Sequence, residues 1–230
     1  LQLTWAGADK YTRMENLPQS VVLANASGAF GTIIAEYAIG SLVALYRSFG
    51  RYWSNKQAHI WQKYDHAETI SGKTALVLGM GDIGGEFARR CKAFGARVPG
   101  IRRSAGACPD CCDRVGVQAD ADRYLPEADI VFLCMPETPE TVGFMSRERI
   151  FSMKDGAILI NNARGQLIVE QDVADALNSG KLAAAGLDVV YTEPIRPDNP
   201  LLTAKNCIIT PHISWAPLES RQRIMDCAVQ

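Results

Sequence analysis

Between Thr74 and Gly84 a short apolar run, Thr74-Ala75-Leu76-Val77-Leu78, leads directly into Gly79-Met80-Gly81-Asp82-Ile83-Gly84. An apolar strand, a G-x-G-x-x-G turn and a helix start, in that order, leave few folds open; they read as the first βα unit of a doubly wound parallel sheet. Gly79 takes the tight turn, Gly81 lets the backbone approach a pyrophosphate, and Gly84 lets the next helix lie against the strand. That helix, expected from Ile83 to Phe94 with Asp82 as N-cap, aims unpaired N–H groups and its positive dipole end at an anion. The ligand that fits is a dinucleotide, held by Gly79, Gly81, Asp82, Ile83 and Gly84.

The rest of the chain extends the same alternation. Strands are expected at Thr74–Leu78, Arg97–Ile101, Ile130–Cys134, Ala157–Asn161, Ala184–Val189 and Cys207–Thr210, with helices between several of them. The clearest helix runs from Glu170 to Ser179 and stops at Gly180 in the C′ position. This spacing implies right-handed crossovers and an α/β fold of the Rossmann type, with ligands beyond the carboxyl ends of the strands. Residues 32–64 carry helix pattern without strands, punctuated by Gly40 and Gly50. They read as two helices, a core-packing one and an amphipathic one bearing Trp53 and Trp61, which either make a subunit contact or pack within the monomer.

An NAD site ordinarily has an acidic residue at the end of the second strand, paired with the ribose hydroxyls. Here that place holds Arg102-Arg103-Ser104. Two guanidinium forks and a hydroxyl suit a ribose 2′-phosphate, so NADP is the expected cofactor, with NAD possible. At 230 residues and a net charge of −1, the chain can bury a large core, and its balance points to neither nucleic acid nor an anionic membrane as partner. The most apolar stretch, Ala24–Tyr46, is interrupted by Glu36 and by glycines and serines, so it reads as a buried helix and not a membrane span. Seven cysteines, an odd number, suggest reduced thiols and a cytoplasmic protein. Cys91, Cys134, Cys207 and Cys227 read as small core residues. Cys108, Cys111 and Cys112 cluster, but His59, His66 and His212 complete no zinc spacing, so no metal is expected.

Three segments follow predicted strands and carry polar chemistry: Asn161-Asn162-Ala163-Arg164-Gly165, Leu187-Asp188-Val189 with Glu193-Pro194, and Thr210-Pro211-His212. With Trp5-Ala6-Gly7-Ala8-Asp9, Ala35-Glu36, the glycine turn and Met135-Pro136-Glu137-Thr138 with Thr141, their order and spacing resemble the D-isomer-specific 2-hydroxyacid dehydrogenases over nearly the whole chain. The family includes glyoxylate/hydroxypyruvate reductases, D-lactate dehydrogenases and phosphoglycerate dehydrogenases. The resemblance implies that Arg164, Glu193 and His212 are catalytic, that Asp188 binds the nicotinamide carboxamide, and that Ala6 and Gly7, with Arg164, hold the substrate carboxylate. Met135, Pro136, Thr141, Asn162 and Ala163 then line the cofactor. It further implies a dinucleotide domain over residues 25–213, including a dimerisation segment at 32–64, and an incomplete substrate-binding domain in residues 1–24 and 214–230. Members begin with a further βα segment and end on a longer helix, so Leu1 and Gln230 are expected to be cut edges.

The chemistry is consistent with those roles. Reduction of a 2-oxo acid puts negative charge on the carbonyl oxygen, and a histidine within reach supplies the proton. A carboxylate on its other nitrogen fixes the ring, and a permanently charged guanidinium pairs with the substrate carboxylate and polarises the carbonyl. The expected function is hydride transfer between NADP and a small 2-oxo acid or D-2-hydroxy acid, glyoxylate or hydroxypyruvate first, in a homodimer. The alternative is a dinucleotide-sensing transcriptional corepressor on the same fold; a formate enzyme is a weaker one.

Overall fold

A computed structural model of the chain describes residues 1–12, 14, 16–18, 20–65 and 67–229, without the side chains of residues 10, 12 and 227–229. The expectations for His66 and for the Cys227 side chain lie outside the described residues. Seven strands, β1 (Ala75–Leu78), β2 (Pro99–Arg102), β3 (Arg114–Val117), β4 (Ile130–Leu133), β5 (Ala157–Asn161), β6 (Leu182–Leu187) and β7 (Cys207–Ile209), form one sheet in the order β3-β2-β1-β4-β5-β6-β7. Every neighbouring pair is parallel. The chain reverses its direction of travel across the sheet between β1 and β4, and in open parallel sheets ligands bind in the crevice beyond the strand ends at such a point.

The helices are α1 (Asp9–Thr12), α2 (Gly31–Tyr46), α3 (Phe49–Gln57), α4 (Asp82–Ala93), α5 (Ala121–Tyr124), α6 (Arg147–Ser152), α7 (Glu170–Ser179) and α8 (Leu218–Val229). They cover both faces of the sheet. Because strand side chains alternate, Ala75 and Val77 face the side of α2 and α4 with Phe132, Ile158 and Ile160. Leu76 and Leu78 face the other, with Val131, Leu133, Leu159 and the α7 residues Val173 and Leu177. Burial on both faces is why β4 reads as an unbroken Ile-Val-Phe-Leu run. Phe132 stacks on Phe87 of α4 with ring centroids 4.1 Å apart. Burying such a ring contributes about 1.5–3 kcal/mol, which helps fix α4 against the sheet. No helix among the described residues is long and apolar enough to cross a membrane.

Three local expectations need correction. Asp82 is the first helical residue and not the N-cap: Gly81 is extended, and its carbonyl accepts the Gly85 N–H at 2.8 Å. The break in residues 32–64 falls at Arg47–Ser48, where Ser48 is left-handed (φ 54°), while Gly40 and Gly50 sit inside α2 and α3. The second helix ends at Gln57, well short of Tyr64. The sheet also gains β3, a half-exposed edge strand whose Arg-Val-Gly-Val sequence carries little apolar signal. By contrast, α7 closes on Gly180 in the left-handed conformation (φ 82°), as the sequence requires.

Candidate active site

The glycine turn lies at the crevice. Gly79 has φ 116°, and a side-chain carbon there would come within 2.7 Å of the Cys134 backbone across the β1/β4 gap. At Gly84 such a carbon would lie 1.9 Å from the Gly79 carbonyl oxygen, so α4 packs on the turn at a distance only glycine permits. Gly81 has nothing within 4 Å of the same position. The turn is therefore closed toward the protein and open toward the crevice, the shape a pyrophosphate needs at a helix N-terminus. The Asp82 carboxylate packs against Gly31, the first residue of α2, and Ile83 is half-buried behind it.

Beyond β4, Met135 is buried and Pro136 exposed; the buried Thr141 hydroxyl accepts the Thr138 N–H at 2.7 Å and donates to the Pro136 carbonyl at 2.8 Å. Thr141 thus shapes the loop that presents Pro136. Arg102 ends β2 with its guanidinium 3.4 Å from the Ala107 carbonyl, while Arg103 and Ser104 are exposed beside it. Behind them, Cys112 packs 3.6 Å from the Met80 sulfur, and burial pushes its thiol up to about 12.

The end of β5 projects the arginine. Asn161, fully buried, accepts the Ala163 N–H at 3.0 Å and donates to the Arg164 carbonyl at 2.9 Å, closing a turn that carries Arg164 out of the sheet. Gly165 presses backbone-to-backbone on Val190, tying this turn to the chain leaving β6. The Arg164 guanidinium reaches Asp9 at 2.8 Å through Nη2 and 3.4 Å through Nε, and it occupies the space a side chain on Gly7 would fill. Ala6, held through its carbonyl by Asn25 at 2.6 Å, completes that loop. Asn162 buries both polar atoms of its amide without a hydrogen-bond partner, leaving donor and acceptor capacity unsatisfied at the crevice floor beside Ala163.

His212 Nδ1 lies 2.9 Å from Glu193 Oε2. Because a carboxylate only accepts, Nδ1 carries the hydrogen and Nε2 is the ring nitrogen left for other chemistry. The indole N–H of Trp215 donates to the His212 carbonyl at 2.7 Å. Asp188, at the end of β6, is 1% exposed, and its carboxylate accepts from Thr210, from the Ile213 N–H and from the Ser214 N–H. Three of about four acceptor positions on a carboxylate are then taken, which leaves room for one further donor such as a carboxamide.

The sequence-based residues therefore fall at the carboxyl ends of β1, β2, β4, β5, β6 and β7, with Gly7 brought onto Arg164 and Ala6 next to it in the same loop. Sequence reasoning missed Asp9, Asn161 and Thr210 as polar partners; each lies within a motif already singled out, so polarity inside the motif was the available signal. It also missed Tyr37, which no local pattern marks.

Comparison with known proteins adds the following. Residues 39–214 match the family described as D-isomer specific 2-hydroxyacid dehydrogenase, NAD binding domain. A hydroxypyruvate reductase of Blautia hydrogenotrophica is 44% identical over 209 residues, covering 87% of this chain and 64% of that protein. A D-3-phosphoglycerate dehydrogenase of Archaeoglobus fulgidus is 34% identical over 90% of the chain, which spans 39% of it. The chain thus covers less than two-thirds of the length of these curated relatives. Among solved structures, a D-isomer specific 2-hydroxyacid dehydrogenase family protein of Aeromonas salmonicida superposes with a TM-score of 0.89 at 35% identity, over 99% of this chain and 72% of that one. An NADPH-dependent glyoxylate/hydroxypyruvate reductase of Sinorhizobium meliloti, in complex with NADP and sulfate, gives 0.86 at 26% identity, over 100% and 73%.

Proposed function

We propose, from the premise that this chain belongs to the D-isomer specific 2-hydroxyacid dehydrogenase family, that it reduces a small 2-oxo acid to the D-2-hydroxy acid with NADPH. The observation that carries this reading is the His212–Glu193 pair at 2.9 Å, at the same carboxyl end of the sheet as Arg164 and the glycine turn. The corepressor alternative has no observation in its favour.

The residues fit a dinucleotide: Gly81 leaves the space, α4 supplies the positive end of its dipole, and the unpaired Asn162 amide and Asp188 offer polar contacts further along the crevice. When bound, the nicotinamide supplies the hydride. The chain does the rest. Arg164 and the Gly7 amide hold the substrate carboxylate, and the guanidinium draws charge onto the carbonyl oxygen. His212 delivers its Nε2 proton to that oxygen, and Glu193 keeps the ring facing it. In oxidation the same nitrogen takes the proton back.

Arg102, Arg103 and Ser104 favour NADP, and the Sinorhizobium meliloti structure holds NADP. Hydroxypyruvate and glyoxylate are the leading substrates, because the Blautia hydrogenotrophica and Sinorhizobium meliloti relatives are reductases of these acids. Residues 25–213 would form the dinucleotide domain, and residues 1–24 and 214–230 parts of a substrate domain. The exposed Phe49, Trp53, Ile60 and Trp61 of the α3 region suit a two-fold contact with a second copy. A cytoplasmic location is consistent with the six cysteines free among the described residues. Steady-state rates with NADPH and NADH over a panel of 2-oxo acids test the reading. Preference for NADPH is expected, and His212→Ala should lose turnover while keeping cofactor affinity. Absence of turnover with every acid, or full activity in His212→Ala, would overturn it.

A further inference from the structure

The loop bearing His212 is held by a hydrogen-bonded chain that begins on another element. Tyr37 in α2 donates its phenol proton to Thr210 Oγ1 at 2.6 Å, and Thr210 donates its own to Asp188 Oδ1 at 2.7 Å. Asp188 Oδ1 also accepts the Ile213 N–H at 2.9 Å, Oδ2 accepts the Ser214 N–H at 2.9 Å, and the Asp188 carbonyl accepts the His212 N–H at 2.8 Å. Three consecutive backbone amides, from His212 to Ser214, are thereby tied to one buried residue.

His212 needs such a clamp. Its φ is 55°, a left-handed conformation that a residue with a Cβ keeps only when its surroundings impose it. The polarity of the relay is fixed at its inner end, because the Asp188 carboxylate only accepts. Burial, the largest influence, pushes the Tyr37 phenol above its usual range, opposed by hydrogen bonds with Thr210 and Ser41 and assisted by Asp188, so the phenol keeps its proton. The Thr210 hydroxyl therefore directs its one proton to Asp188 and meets the Tyr37 phenol as an acceptor. Without the phenol that hydroxyl loses one of the two partners that hold it.

We propose that Tyr37 and Thr210 are positioning residues for proton transfer at His212, acting through Asp188 to set the backbone of residues 212–214. This rests on the reading of His212 as the proton donor. Neither side chain is placed here on the substrate or the cofactor; their effect is on where the imidazole sits.

The test uses the intact chain with Tyr37→Phe, Thr210→Val and Thr210→Ser, read by kinetics with NADPH and by hydrogen exchange of the Ile213 and Ser214 amides. Losing one hydrogen bond in a positioning chain should lower kcat by about tenfold in Tyr37→Phe and more in Thr210→Val, with the NADPH KM within about twofold. Thr210→Ser, which keeps the hydroxyl, should restore kcat to within about threefold of the parent. Amide exchange at 213–214 should quicken about tenfold in Thr210→Val and stay at the parental rate in Thr210→Ser. Faster exchange with unchanged kcat would overturn the positioning role, and lowered kcat with unchanged exchange would overturn the route through Asp188. If the parent chain reduces no 2-oxo acid, the functional reading fails by itself. The proton-transfer role then falls with it, while exchange still tests the clamp.

Discussion

The glycine turn offers a pair of substitutions whose consequences should separate cleanly. In Gly84→Ala the new methyl would sit 1.9 Å from the Gly79 carbonyl oxygen and 2.9 Å from the Cys134 sulfur. Real side-chain carbons stay beyond 3.0 Å, so a gap of at least 1.1 Å must open between two backbone segments, with no flexible side chain to absorb it. Forcing α4 off β1 costs about 2–3 kcal/mol, the upper part of the overpacking range. For a domain of this size that lowers Tm by about 5–10 °C. Gly81→Ala is the opposite case. Its methyl meets nothing within 4 Å and its φ is −95°, so folding should be untouched, with Tm within about 2 °C. The same methyl, however, stands where a pyrophosphate would approach. Displacing the phosphate oxygens from the helix N–H groups should weaken NADPH by at least about tenfold, or about 1.4 kcal/mol. Thermal melts followed by far-UV circular dichroism, with NADPH titrated by its own fluorescence, read both quantities. If Gly81→Ala binds NADPH as tightly as the parent, the turn is not the phosphate cradle. An unchanged Tm in Gly84→Ala would refute the packing argument.

Three further outcomes are expected. Asp9→Asn, which removes the charge paired with Arg164 at 2.8 Å, should loosen the guanidinium and raise the 2-oxo acid KM by about three- to tenfold with little change in NADPH binding, measured by steady-state kinetics. The Asp113 carboxyl is held below its ordinary value by the Val98 N–H and then by Lys92; that of Asp129 is also lowered, because Lys154 and the Thr74 N–H outweigh its burial. Their contribution to stability is present above the unfolded value of about 3.9 and disappears as pH falls through the lower folded values, so Asp113→Asn should flatten the acid limb of a Tm–pH curve. Burial pushes the Cys91 and Cys207 thiols up to about 12, as it does Cys112, so brief alkylation near pH 8 followed by peptide mass mapping should modify the exposed Cys108 well before these three.

Strands β1, β4 and β5 were legible because burial on both faces writes itself as unbroken apolar runs, and α7 because it has an amphipathic stripe and a terminal glycine. The edge strand β3 was not, since a strand open on one side is free to use Arg114 and Gly116. Helix punctuation misled where glycine was taken as a break. Gly40 lies on the more open face of α2, whose packing through Ala35, Ala38 and Leu42 outweighs the about 1 kcal/mol cost of one glycine. The groups at the strand ends could be listed from motifs, but their couplings could not. Asp9 and Arg164 are 155 residues apart, and Tyr37 and Thr210 are 173 apart. Such contacts exist only once the sheet order has brought the ends together.

The placement of the tryptophans decides what light can report about this molecule. Trp53 and Trp61 stand out in the α3 region at 68% and 99% exposure, and Trp5 and Trp215, both half-exposed, flank the loops that carry Gly7 and His212. None lies in the sheet core, where Phe87 and Phe132 are the large aromatic pair. Intrinsic emission will therefore be red-shifted in the native state and will change little when the sheet melts, so it is a poor monitor of global unfolding. It is instead a local antenna. Two indoles watch the surface suited to a second copy, and two watch the rim of the crevice, where a reduced nicotinamide absorbing in the near ultraviolet would quench them by energy transfer.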